Sequence, residues 1–115
     1  MHELGVTFKV LDMTEETAAE NGMTKVDEVV IELGEVSAVI PSYLKNCWKW
    51  AVKKRGEAVR NAALSIEAIP AVSTCEDCGA DFGTVAYGKK CPVCGGENTY
   101  LIRGNEFLIK EIRGE

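Results

Sequence analysis

The chain has 115 residues, 46% of them hydrophobic and 27% charged, with a formal net charge of −5, a length that suits one compact unit with a small appendage. The acidic balance disfavours non-specific nucleic-acid binding, which rests on lysines and arginines that displace counterions from phosphates. No apolar run approaches the roughly 20 residues that cross a bilayer, and the start lacks a basic stretch followed by an apolar one, so no membrane span or signal peptide is expected and a reducing cytoplasm is inferred.

Leu4, Phe8, Leu11 and Ala18 follow helical spacing, and Asn21-Gly22 supplies a stop. From Lys25 the period changes to two: Val29, Ile31 and Leu33 alternate with Val30, Glu32 and Gly34, the pattern of a strand with one face on a core. Pro41 fits a first helical turn. Leu44, Cys47, Trp48, Ala51 and Val52 then recur at the spacing of an amphipathic helix that ends in Lys53-Lys54-Arg55 before Gly56. These cations favour the negative end of the helix dipole and are expected as a solvated last turn. Leu64, Ile66 and Ala68 alternate with Ser65 and Glu67 as a second strand that Pro70 helps to end. Phe107 and Ile109 alternate with Leu108 and Lys110 in a third, after the turn residues Gly104-Asn105.

Between the second and third strands lie two cysteine knuckles, Cys75-Glu76-Asp77-Cys78-Gly79 and Cys91-Pro92-Val93-Cys94-Gly95. Two such pairs close in sequence can bring four thiolates onto one tetrahedral metal, and Cys75, Cys78, Cys91 and Cys94 are the expected ligands of a zinc ion. A glycine after each second cysteine can take positive φ and let backbone N–H groups point at the sulfurs. Disulfides and a redox dithiol are the bland alternatives. A redox Cys-x-x-Cys, however, occurs once beside a βαβ unit, whereas here the motif is doubled and glycine-flanked. Iron in a rubredoxin-like site is the stronger rival, because a tetrahedral sulfur cage accepts it too. Cys47 lies apart, within the second helical pattern, as a small buried hydrophobe.

Two helices and three strands give an α+β fold, a small three-stranded sheet covered by helices, with the zinc-ribbon-like module inserted between two of its strands. The expected division is residues 1–72 with 105–115 as the α+β domain and 73–104 as the zinc-binding domain. The zinc module is too poor in apolar groups to fold without its metal. Spacing does not fix the strand order.

The start, Met1-His2-Glu3, holds the chain's one histidine. The bulk of His2 blocks removal of the initiator methionine, so the free amine belongs to Met1. A terminal amine, an imidazole and adjacent amide nitrogens can enclose a square plane, the geometry that suits Ni(II) or Cu(II). From these residues alone, a solvated histidine remains the ordinary alternative.

Met1-His2-Glu3-Leu4, Ile31-Glu32-Leu33-Gly34-Glu35, the two knuckles and Gly104-Asn105-Glu106 together resemble the HypA/HybF family over essentially the whole chain. The resemblance implies a nickel metallochaperone, not an enzyme, that serves hydrogenase maturation and in some organisms urease. It implies nickel at His2, assisted by the Met1 amine and the backbone nitrogens of His2 and Glu3, and structural zinc on Cys75, Cys78, Cys91 and Cys94. The implied partners are a maturation GTPase, a hydrogenase large-subunit precursor and urease maturation proteins; some members form homodimers. Gly5 departs from the family's usual serine, and Cys47 matches no family ligand. No phosphate-cradling G-x-x-x-x-G-K-[ST] occurs, so nucleotide hydrolysis is assigned to the partner. A rubredoxin-like electron carrier and a zinc-ribbon module binding protein or nucleic acid are the competing readings.

Overall fold

A computed structural model describes residues 3–115, so Met1 and His2 lie outside the described residues. The elements run α1 (Glu3–Glu20), β1 (Val26–Gly34), α2 (Pro41–Ala51), β2 (Ala63–Ile69), β3 (Val72–Cys75), β4 (Asp81–Gly83), α3 (Thr84–Tyr87), β5 (Thr99–Arg103) and β6 (Phe107–Gly114). Single 3-10 turns at Val52–Lys54 and Glu57–Val59 lie between α2 and β2. This is the expected α+β class: two long helices, a three-stranded sheet in the order β2-β1-β6, and an inserted module with a small sheet of its own, β4-β3-β5.

The chain forms two compact units. One holds the chain up to Glu32 together with Ala38–Glu67 and Leu108–Glu115; the other holds Leu33–Ser37 and Ala68–Phe107.

In the first unit α1 packs against α2. Val10, Leu11 and Ala18 of α1, Val29 and Ile31 of β1, and Leu44, Trp48 and Ala51 of α2 are buried. The buried stripe of α1 is not the one that its large apolar residues suggest. Leu4 is exposed and Phe8 half-buried, whereas Thr7 and Thr14 are fully buried. Each threonine hydroxyl donates to the carbonyl one turn back, Thr7 to Glu3 at 2.7 Å and Thr14 to Val10 at 2.8 Å. Once those donors are satisfied, the threonine methyls can join an apolar face at little cost. Trp48 likewise spends its indole N–H on the Ala62 carbonyl at 2.8 Å.

The last turn of α2 also differs from expectation. After Ala51 the helix tightens into the 3-10 turn, and Arg55 is not a solvated terminal cation. Its guanidinium lies 2.7 Å from Asp12 and 3.1 Å from Glu15, donates to the Phe8 carbonyl at 3.3 Å, and rests over the Phe8 ring. These three partner residues, Phe8, Asp12 and Glu15, sit on α1 about one turn apart, so a single planar fork ties the end of the second helix to the first.

Strand β1 is central, and Val29, Ile31 and Leu33 are buried along it, but Val30 and Gly34 on the other face are buried as well, so the expected alternation holds only in part. It runs antiparallel to β6: Lys25 N donates to the Glu115 carbonyl at one end of the pair, and Gly34 N to Glu106 at the other. As an edge strand β2 buries less than its pattern suggests, with Leu64 and Ile66 half-buried and Ala68 exposed.

In the second unit β3 is the middle strand and pairs antiparallel with both neighbours, Ser73 opposite Phe82 and Thr74 opposite Tyr100. Glu35 anchors the returning 33–37 segment. Its N–H donates to the Ile69 carbonyl at 2.9 Å, and its carboxylate accepts the Ala71 N–H at 2.9 Å.

Candidate metal centre

The two knuckles adopt the same backbone. In the first, Gly79 N donates to the Cys75 carbonyl at 2.8 Å and Cys75 N to Ala80 at 2.9 Å; in the second, Gly95 N donates to Cys91 at 2.9 Å and Cys91 N to Gly96 at 2.9 Å. Each loop therefore closes on its first cysteine through two bonds. The reversal requires the left-handed region, and Gly79 and Gly95 supply it with φ of 76° and 72°.

This duplicated closure turns four sulfurs inward. The Sγ atoms of Cys75, Cys78, Cys91 and Cys94 all lie within 4.8 Å of one another. Cys75 and Cys94 are 3.6 Å apart, as are Cys78 and Cys91. A tetrahedron with zinc–sulfur bonds of about 2.3 Å has edges of about 3.8 Å, so the cluster fits a structural zinc site. The first cysteine of each knuckle is buried and the second exposed. Cys75 and Cys91 pack with Phe82 and Ala80 in a small apolar cluster that shields one side of the sulfurs. Phe82 escaped the sequence reading, because an isolated aromatic in a short interknuckle loop carries no periodic signal.

Backbone amides complete the site electrostatically. Val93 N points at the Cys91 sulfur and Gly96 N at the Cys94 sulfur, both at 3.4 Å. The Cys94 and Val93 amides draw the Cys91 thiol down to about 7 against the opposing effect of desolvation. At Cys78 the Ala80 amide pulls the other way, but desolvation and the neighbouring thiols outweigh it and push the value up to about 12. Cys94 is also raised: the Gly96 amide lowers it, and the Cys75 thiol and desolvation more than reverse that. Four sulfurs this close cannot all ionise unless a cation compensates them, which is the electrostatic signature of a metal cage. Cys47 takes no part; it lies half-buried on α2 as a free thiol.

Of the residues expected to hold nickel, Met1 and His2 lie outside the described residues. Glu3 opens α1, and its carboxylate accepts the Ile40 N–H at 3.5 Å.

The comparisons with known proteins agree over the full chain. A family model described as "Hydrogenase/urease nickel incorporation, metallochaperone, hypA" matches residues 1–114. Hydrogenase maturation factor HypA of Geotalea uraniireducens (strain Rf4) is 33% identical over 115 residues, 100% of both chains. Hydrogenase maturation factor HybF of Klebsiella pneumoniae is 30% identical, also over 100% of both. Among solved structures, the solution structure of the Ni metallochaperone HypA from Helicobacter pylori superposes with a TM-score of 0.72 at 25% identity, covering 99% of this chain and 97% of that one. A second solution structure of a HypA protein gives 0.74 at 26%, covering 100% and 97%. Its length, its sulfur cage and its likeness from end to end agree: this chain belongs to the HypA family of hydrogenase/urease nickel-incorporation metallochaperones, maturation factors rather than enzymes.

Proposed function

We propose that the chain binds Ni(II) at its N-terminus, through the His2 imidazole, the Met1 amine and the backbone nitrogens of His2 and Glu3, and delivers it in the cytoplasm to a NiFe hydrogenase large-subunit precursor. A maturation GTPase supplies the nucleotide chemistry, and urease maturation proteins are a second destination. Cys75, Cys78, Cys91 and Cys94 hold a structural zinc in the 73–104 domain, while residues 1–72 and 105–115 form the nickel-binding domain.

The observation that carries this reading is the match of residues 1–114 to the nickel-incorporation family model. A site at a chain terminus takes up and releases its cargo without disturbing a core. Amide nitrogens and imidazole bind only when deprotonated, so acid favours release.

Nickel titration of protein with its native, untagged N-terminus tests the reading. One nickel per chain is expected, lost in His2→Ala and altered in geometry when residues precede Met1, with zinc content unchanged. A His2→Ala protein that still takes one nickel with the same absorption spectrum would place the site elsewhere. As isolated, a rubredoxin-like electron carrier would instead contain iron and be coloured.

A further inference from the structure

A groove of about 520 Å³ lies between α2 and the start of β2, and four cations line it: Lys45, Lys49, Lys53 and Arg60. No aspartate or glutamate lines it, in a chain whose net charge is −5. All four cations are exposed. Among the described residues none of their side chains has an ion pair or hydrogen bond, whereas Arg55, Lys110 and Arg113 are each held by carboxylates. The floor is apolar, formed by the buried Trp48 and Val52 with half-buried Leu64, and the Trp48 indole N–H is already spent on Ala62.

We infer that this groove docks an extended acidic segment of a partner protein, its carboxylates meeting the lysines while its chain runs beside the free edge of β2. Lys45, Lys49 and Lys53 recur every four residues along α2 and the turn that follows it, spaced about 6 Å apart and strung over about 12 Å. Every second residue of an extended chain repeats at about 6.6–6.8 Å. A strand-like segment with acids at alternate positions therefore meets one lysine after another, with its intervening side chains turned to the opposite face. A compact anion such as phosphate would need its donors to converge on one point, and this row does not. Among the described residues the sheet order β2-β1-β6 leaves one side of β2 without a strand partner, and Ala63 and Leu64 at its start line the groove, where main-chain bonding to the visitor is available.

The test uses the full-length zinc-loaded protein, isotopically labelled and titrated with a blocked Glu-Val-Glu-Val-Glu peptide. Saturable amide shifts confined to residues 45–53 and 60–64 are expected. Affinity should fall about tenfold in K49Q/K53Q and again as salt rises, while Lys9→Gln, an exposed cation outside the groove, leaves it unchanged. Shifts elsewhere, or none, overturn the inference. So does equal binding of the Gln-Val-Gln-Val-Gln peptide, which would remove charge as the basis. Inorganic phosphate shifting the same amides as tightly as the acidic peptide would make this an anion pocket and not a docking groove. Nickel does not enter any arm, so the outcome is independent of the N-terminal site.

Discussion

Gly34 and Gly104 meet backbone to backbone: a methyl group built on Gly34 would sit 2.6 Å from the Asn105 nitrogen and closer still to the Gly104 carbonyl. That carbonyl accepts the Val36 N–H at 2.9 Å, so the two segments cannot part without losing this bond. Gly34→Ala should therefore destabilise the protein by roughly 1–3 kcal/mol, or more if the strand ends cannot part. At Gly83, where φ is −70° and nothing lies within 4 Å of an added Cβ, alanine should change stability by less than about 0.5 kcal/mol. Urea midpoints of the two variants decide it; equal midpoints would mean that the close approach is not a constraint.

Zinc removal should unfold the cysteine module and spare the helices. The described apolar cluster beside the sulfurs is only Cys75, Phe82 and Cys91 with Ala80, too small to hold two loops and three short strands alone. Hydrogen exchange after chelation should show lost protection from about residue 73 to 104 and retained protection in α1 and α2. Cys75→Ser should lose zinc, whereas Cys47→Ser should keep it. Full protection of the metal-free module would mean that the metal does not fold it.

Zinc affinity should rise with pH, and less steeply above neutrality. Bound sulfurs are thiolates, so binding expels every proton that the metal-free cluster carries. Cys78 at about 12 and Cys94, also raised, carry theirs throughout the neutral range. Cys91 at about 7 carries a proton below that pH and not above it. The slope of log affinity against pH should therefore fall by about one on passing through pH 7. Competition with a chromogenic chelator from pH 6 to 8 measures it, and a constant slope would remove Cys91 as the acidic thiol.

Arg55→Ala should cost about 1–2 kcal/mol, because the guanidinium is only 25% exposed and serves Glu15 and the Phe8 carbonyl together. The exposed Asp12 contact contributes least. Arg55→Lys keeps the charge but not the planar fork and should lose a smaller part of that. A double-mutant cycle with Glu15→Gln isolates the pair. Strict additivity would show that Arg55 and Glu15 are not coupled.

The sequence by itself determined the two long helices, the three strands of the larger sheet and the sulfur cage, but not the short strands and helical turn of the cysteine module. A period of two around Ile31, helical spacing from Leu44 to Val52, and two Cys-x-x-Cys-Gly knuckles are local signals: neighbours along the chain set backbone conformation, and each knuckle closes through bonds within six residues. What only the tertiary structure decided were the relations between distant segments. Thr7 and Thr14 displaced Leu4 from the buried stripe of α1, because a satisfied hydroxyl removes the polarity that a hydropathy pattern assigns to threonine. Arg55 became an interhelical tie because residues forty positions apart present carboxylates to it. β2 fell at the sheet edge, leaving its alternation half realised, and the lysines of α2 became one wall of a groove. None of these could be read from spacing, because sequence pattern records which face of an element is apolar and not which partner covers it.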